Sequence, residues 1–179
     1  KQKPLKVIAK IGFEQFANFT PFKWWQLSGG FNIYQSKQKG IFKFKDFNNI
    51  PKTIDFSSND FSGYFSLSSK FTLPKEWRLQ TSYKYFAPSE GAISKRKEYY
   101  FMDAAISKNL FNNKASITFS VTDIFNSHKI ERNIITGSAN THNMFQWNER
   151  MFIFNFTYRI NQKDKKLNFE VDKDKSIMF

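Results

Sequence analysis

The sequence predicts an all-β fold: an antiparallel up-and-down meander of about seven long strands, forming a segment of a larger transmembrane β-barrel. Three observations predict it. The first is alternation over Met151–Asn161, where Phe152, Phe154, Phe156, Tyr158 and Ile160 fall on one side and Ile153, Asn155, Thr157, Arg159 and Asn161 on the other. Side chains along a strand point to opposite faces with a period of two, so one face here is aromatic and the other mostly polar. A soluble sandwich buries such aromatics in its core, whereas a membrane barrel turns them to lipid and its polar side to the lumen. The second observation is length. The alternating segments run for about 9–13 residues, as tilted strands crossing a bilayer require, while soluble strands average nearer 5–6. The third is rhythm: short and long connections alternate along the chain, as in barrels with tight turns at one end and long loops at the other.

The first segment is Ile11–Thr20. The second, Trp24–Gln35, sets Trp25, Leu27, Phe31 and Ile33 against Gln26, Ser28, Asn32 and Tyr34. The third, Asp60–Leu73, sets Phe61, Phe65, Leu67 and Phe71 against Ser62, Tyr64, Ser66, Ser68, Lys70 and Thr72. The fourth, Trp77–Phe86, opposes Trp77, Leu79, Tyr83 and Tyr85 to Arg78, Gln80, Ser82 and Lys84. In the fifth, Tyr99–Leu110, Met102, Ala104 and Ile106 oppose Asp103, Ala105 and Ser107. In the sixth, Ala115–Phe125, Ile117, Phe119 and Val121 oppose Ser116, Thr118, Ser120 and Thr122. Asp123 falls on the apolar side of that segment, so either a bulge resets the phase or the strand has already reached the headgroups, and both end the lipid-facing part near Val121. The seventh is the stretch from Met151. Pro21, Pro74 and Asn112-Asn113 supply turn chemistry for the short connections Thr20–Lys23, Leu73–Glu76 and Phe111–Lys114. Ser36–Asn59, Ala87–Glu98 and Asn126–Asn148 are the long links. The organisation expected is a barrel part over 1–160 and a polar tail over 161–179, the chain being a piece of something longer.

Composition agrees with this reading. Phe accounts for 23 of 179 residues, yet mean hydropathy is negative, so much aromatic surface is spread through a polar chain. No uncharged apolar window reaches the roughly 18 residues of a transmembrane helix, which leaves barrel strands untouched as a possibility. The net charge of +13 is scattered through turns, loops and tail rather than gathered on one element, which argues against nucleic acid and for solvated loops, a hydrated lumen and attraction to anionic lipid. The absence of cysteine excludes disulfides and thiol chemistry.

No catalytic grouping emerges. His128 and His142 share one long link without a carboxylate pattern around them, paired carboxylates are missing from strand interiors, and Gly29-Gly30 has no lysine partner for phosphate. No cofactor and no metal are expected. The expected lumen-facing wall comprises Gln26, Ser28, Asn32, Ser66, Ser68, Lys70, Arg78, Gln80, Lys84, Asp103, Ser107, Thr118, Asn155 and Arg159, with Glu14 as a second inward carboxylate. The expected lipid-facing set is Leu27, Phe31, Phe65, Leu67, Leu79, Ile106, Phe119, Phe152, Phe154 and Phe156. Trp24, Trp25, Trp77, Tyr85, Tyr99, Tyr100 and Tyr158 are candidates for aromatic girdles, ordinary strand enrichment in aromatics being the alternative. Lys43, Lys45, Arg96, Lys97, Arg132, Phe145 and Trp147 stand on the long links, where they are expected to meet ligand or lipopolysaccharide phosphates.

Tyr100-Phe-Met-Asp-Ala-Ala-Ile-Ser-Lys-Asn-Leu-Phe-Asn-Asn-Lys, then Ala115-Ser-Ile-Thr-Phe-Ser-Val-Thr-Asp-Ile-Phe-Asn, then Phe154-Asn-Phe-Thr-Tyr-Arg-Ile-Asn resembles the carboxy-terminal end of the outer-membrane β-barrel of TonB-dependent receptor-like proteins, in the form common in Bacteroidetes. There the penultimate strand ends in Asp-(Ile/Leu)-Phe-Asn and the closing strand in Tyr-Arg followed by an aromatic or aliphatic residue. The resemblance is clearest over residues 60–161. It implies a Gram-negative outer-membrane location, a 22-stranded barrel around a plug domain, short turns on the periplasmic side, and substrate uptake energised through an inner-membrane partner of the TonB type. It also implies contact with lipid, lipopolysaccharide and the remainder of the barrel. Met151–Tyr158 or Phe179 would serve recognition by the insertion machinery. Two other readings remain open: a soluble β-sandwich carbohydrate-binding module, and a surface adhesin or scaffold barrel that transports nothing.

Overall fold

The computed structural model describes residues 6–45, 47–55, 57–136, 139–147 and 149–160. The tail expected over 161–179, with Phe179, lies outside the described residues. Among the described residues thirteen strands form in chain order. Seven of them build one antiparallel sheet: β1 (Lys6–Phe22), β2 (Trp25–Lys39), β5 (Ser58–Leu73), β6 (Trp77–Phe86), β9 (Tyr99–Leu110), β10 (Ala115–Thr122) and β13 (Met151–Tyr158), adjacent in that order. This is the expected meander, and the sheet is open, with β1 and β13 at its edges.

The short connections fall where turn chemistry placed them. Lys75, Glu76, Phe111, Asn112 and Asn113 carry left-handed backbone, with φ between 52° and 69°, which lets a tight reversal match the strand twist without glycine. The strands approach closely at Gly63, where a Cβ would run into the Asn32 carbonyl oxygen, so no side chain fits there without parting β2 from β5.

The long links are more ordered than the sequence suggested. β1, β2 and β5 run past the expected ends, and the Ser36–Asn59 link folds into a hairpin of β3 (Ile41–Lys45) and β4 (Pro51–Asp55). The other two links join in a four-stranded sheet, β12-β11-β8-β7, built from β7 (Ser89–Glu90), β8 (Ser94–Arg96), β11 (Lys129–Thr136) and β12 (Ala139–Gln146). All these elements stand at the end of the main sheet opposite the short turns.

The molecule lacks the interior of a sandwich. Among the described residues Ala115 is the one buried hydrophobic side chain, while phenylalanines throughout the main sheet stay exposed, Phe154 at 66%. A sandwich would pack these rings against a second layer.

Candidate functional site

The pairing register decides which side chains share a face, because directly opposite residues project to the same side. Starting from β13, Phe156 pairs with Ile117, Phe154 with Phe119 and Phe152 with Val121. Phe119 pairs in turn with Ile106, Ile106 with Leu79, Leu79 with Phe71 and Phe71 with Trp25. Phe65 and Phe31 pair, and Leu67 sits opposite Gly29, beside Leu27. All ten residues expected on the lipid-facing side therefore share one face. Thr118 pairs with Asn155 and Ser107, Arg78 with Ser107 and Thr72, Gln80 with Lys70, Lys70 with Gln26, Ser68 with Ser28, Lys84 with Ser66, and Asn32 with Glu14. These residues and Asp103, opposite Ser82, occupy the other face.

Aromatic residues gather at both ends of the apolar face. At the short turns, Phe22, Trp24, Trp25 and Phe71 stack with ring centroids 5.2–6.4 Å apart, and the Trp25 indole N–H donates to Ser69 Oγ at 2.7 Å. Trp77 lies under the Lys108 ammonium, and Tyr158 closes the same end opposite Ala115. At the other end Tyr85 and Tyr100 pair. Tyr99 departs from the girdle expectation: it pairs and stacks with Phe86 on the polar face, centroids 4.6 Å apart. The reason is phase, since the apolar residues of β9 are the even-numbered ones.

The polar face is a graded wall. A hollow of about 270 Å³ lies near the short turns, lined by Asn18, Gln26, Ser28, Ser68, Lys70 and Gln80. Glu14 accepts from Tyr64 Oη at 2.8 Å and Asn32 Nδ2 at 3.2 Å. Lys70, Arg78 and Lys84 have no carboxylate partner among the described residues, whose ion pairs lie on the β7–β12 sheet. Arg159 does not stand free on the wall; its guanidinium donates to the Asn113 carbonyl and holds the β9–β10 turn.

Sequence reasoning missed the site where the polar face meets the loops. Asp123 ends β10 instead of bulging it: its backbone is left-handed, at φ 49°, and its side chain is buried, at 4% exposure. Its N–H donates to Asp103 Oδ1 at 2.9 Å, and its carboxylate accepts from the backbone N–H groups of Ser127 and His128 at 2.9 and 3.0 Å. Ser127 Oγ donates to the Tyr100 carbonyl, and the His128 ring stacks on Phe101 at 4.0 Å. Three residues on, Asn126 Oδ1 accepts from Gln146 Nε2 at 2.9 Å, tying down the base of the β11–β12 hairpin, where Gln146 pairs with Lys129. The Asp-Ile-Phe-Asn motif is thus a latch that anchors the largest loop. Its signal in the sequence was the phase break at Asp123.

His128 and His142 lie apart, the latter on β12 with Nδ1 2.5 Å from Asn133 Oδ1. Among the described residues no group of three or more His, Cys, Asp or Glu side chains converges to hold a metal ion.

On the loop sheet, the Lys97 ammonium lies 2.7 Å from Glu131 Oε2. This hydrogen bond holds the Glu131 carboxyl below its ordinary 4.5 and lifts Lys97 above its ordinary 10.5. The depressed acid contributes order that is present above its unfolded pKa and lost as pH falls through the folded value. The raised base contributes order that is lost only as pH rises through its own folded value. The contact is therefore expected to persist across neutral pH and to weaken once pH falls below the ordinary 4.5 of Glu131. Amide exchange of Lys97, whose N–H donates to the Glu131 carbonyl, checks this. Unchanged protection between pH 7 and pH 3 would contradict it.

A comparison with protein-family models matches residues 7–158 to the outer membrane protein beta-barrel family. No curated protein and no solved structure matches the chain.

Proposed function

This chain belongs to the outer membrane protein beta-barrel family, and on that premise we propose that its main sheet is a multi-pass wall segment of a larger Gram-negative barrel that takes up solute in the manner of a TonB-dependent receptor. One observation carries the reading: from β2 to β13 the register gathers the large apolar side chains mainly on one face, β1 being mixed, with Phe16 opposite Gly30 on the polar face and Gln15 opposite Phe31 on the apolar one, and no second layer among the described residues covers the apolar face. Lipid is the medium that such a face requires. In this reading Leu27, Phe31, Phe65, Leu67, Leu79, Ile106, Phe119, Phe152, Phe154 and Phe156 meet hydrocarbon, and the polar wall meets water, solute or a plug.

Dimensions support it. Trp25 to Gln35 covers about 33 Å of strand, or about 25 Å along the bilayer normal at a tilt of roughly 40°, which matches the apolar band of an outer-membrane barrel. Strand parity supports a larger whole. In a seven-stranded meander β1 and β13 run in the same direction, so antiparallel closure needs an odd number of further strands. Eight strands enclose little more than packed side chains, so a wall with a solute path calls for more. Lys70, Arg78 and Lys84, without carboxylate partners, give the wall a cationic bias that favours anionic or neutral polar solutes.

Fractionation tests the proposal. The full chain, expressed with its barrel in a Gram-negative cell, is expected in the outer-membrane pellet and in solution only with detergent. Recovery as a monodisperse species in detergent-free buffer would overturn it.

A further inference from the structure

At the loop end of the apolar face the chemistry changes within two residues. Ile33 and Gln35 of β2 are followed on the same face by Lys37, opposite Asn59, and then by Lys39. Both lysines are exposed and line a cleft of about 490 Å³ with Gln38, Ser57, Ser58 and Asn59. Neither has a carboxylate partner among the described residues. The nearest acids along the chain are engaged elsewhere: Asp55 accepts from the Ser57 N–H at 2.8 Å, and Asp60, on the opposite face, accepts from the Glu90 N–H at 2.8 Å. Asn59 accepts from Gln35 Nε2 at 3.0 Å, which holds the cleft floor level with the strand. Directly below, on the same side, lie Phe61 at 69% exposure, Ile33, Ile11 and Phe13.

Two free ammonium groups and a row of small hydroxyl and amide side chains, set immediately above exposed aromatic and aliphatic surface, match an anionic amphiphile held by both ends. We propose that this cleft binds the phosphate headgroup of a multi-acyl phospholipid-like molecule of the outer leaflet, with its acyl chains lying along Phe61, Ile33, Ile11 and Phe13. The inference rests on the membrane reading above and adds to it a defined headgroup site. A phosphate at this level gains from both lysines, and a lysine at a lipid surface attracts anionic headgroups even without a direct contact. The apolar floor distinguishes a lipid from free phosphate, because an inorganic ion has nothing to place on it.

The test uses the purified full chain in mild detergent with three probes: diphosphoryl lipid A, the same lipid after enzymatic dephosphorylation, and inorganic phosphate. Retained lipid is quantified by mass spectrometry. The phosphorylated lipid is expected to be retained in preference to the dephosphorylated one, and millimolar phosphate is expected not to displace it. The double variant Lys37→Gln/Lys39→Gln is expected to lose about 30-fold in affinity, the combined contribution of two lysines at an anionic surface. The double variant Lys23→Gln/Lys114→Gln, which removes equal charge from the short turns at the opposite end of the sheet, is expected to lose less than about threefold. Circular dichroism checks that both variants keep their strand content. Equal losses in the two variants, equal retention of the two lipids, or displacement by inorganic phosphate would each overturn the site. Failure of the parent reading looks different, since the protein would then leave the detergent phase altogether.

Discussion

Phe119→Arg is expected to cost about 2–4 kcal/mol in lipid vesicles, because it places a guanidinium on the apolar face, which the proposed membrane reading turns to hydrocarbon. Phe119 is the natural position for this experiment: its cross-strand neighbours are Ile106 and Phe154, so the new charge finds no polar partner on either side. The matched substitution one residue earlier, Thr118→Arg, enters the opposite face between Ser107 and Asn155 and is expected to change stability by no more than about 0.5 kcal/mol. Urea titration in lipid vesicles, followed by tryptophan emission, measures both. The contrast reads the sidedness of the sheet, which a soluble sandwich would share; it is the stability of the wild-type chain in lipid vesicles that separates hydrocarbon from a protein core as the medium of the aromatic side. Similar costs at the two positions would remove the distinction between the faces on which the membrane reading stands.

Asp123→Ala is expected to release the β11–β12 loop. The substitution removes the acceptor for the Ser127 and His128 backbone N–H groups and leaves a left-handed alanine, for a local loss of about 2–4 kcal/mol. Asp123→Asn keeps one side-chain oxygen and a residue type that tolerates left-handed backbone, so it is expected to retain much of the anchor. Hydrogen exchange at Ser127 and His128, with limited proteolysis between β11 and β12, reads the difference. The β9–β10 and β10–β13 ladders should keep their protection, because their own backbone bonds do not pass through Asp123. Equal protection of Ser127 and His128 in wild type and Asp123→Ala would show that the carboxylate is not the anchor.

The main sheet was legible in the sequence because period-two alternation survives wherever one face must be apolar. β6 and β9 end where the aromatic-polar pattern ends, at Trp77–Phe86 and Tyr99–Leu110. Elements beyond the apolar face were not legible. β7 and β8 are only 2 and 3 residues long, and β11 and β12, though as long as β10 and β13, mix polar and apolar residues on both sides, so no side-chain pattern separates them from loop. Their order comes from backbone pairing and from the Asp123 and Asn126 anchors, long-range contacts that a local pattern does not carry. The β3–β4 hairpin escaped for the same reason, its Lys and Phe residues alternating over only a few positions. Tyr99 was misplaced by a different route. Nearness to a strand end is not sufficient for a girdle, and Met102, Ala104 and Ile106 set the phase that sends Tyr99 to the other face. Lys37 and Lys39 lie past the expected end of the second segment, and only the register places them on the same face as Ile33.

The indole stack beside the Phe22–Trp25 turn has an optical consequence. Of the 4 tryptophans, Trp24, Trp25 and Trp77 crowd one rim and Trp147 stands by itself at the far extremity. Ultraviolet-excited light from the intact chain is therefore a report weighted toward a single rim, and quenchers confined to one leaflet will dim it unequally.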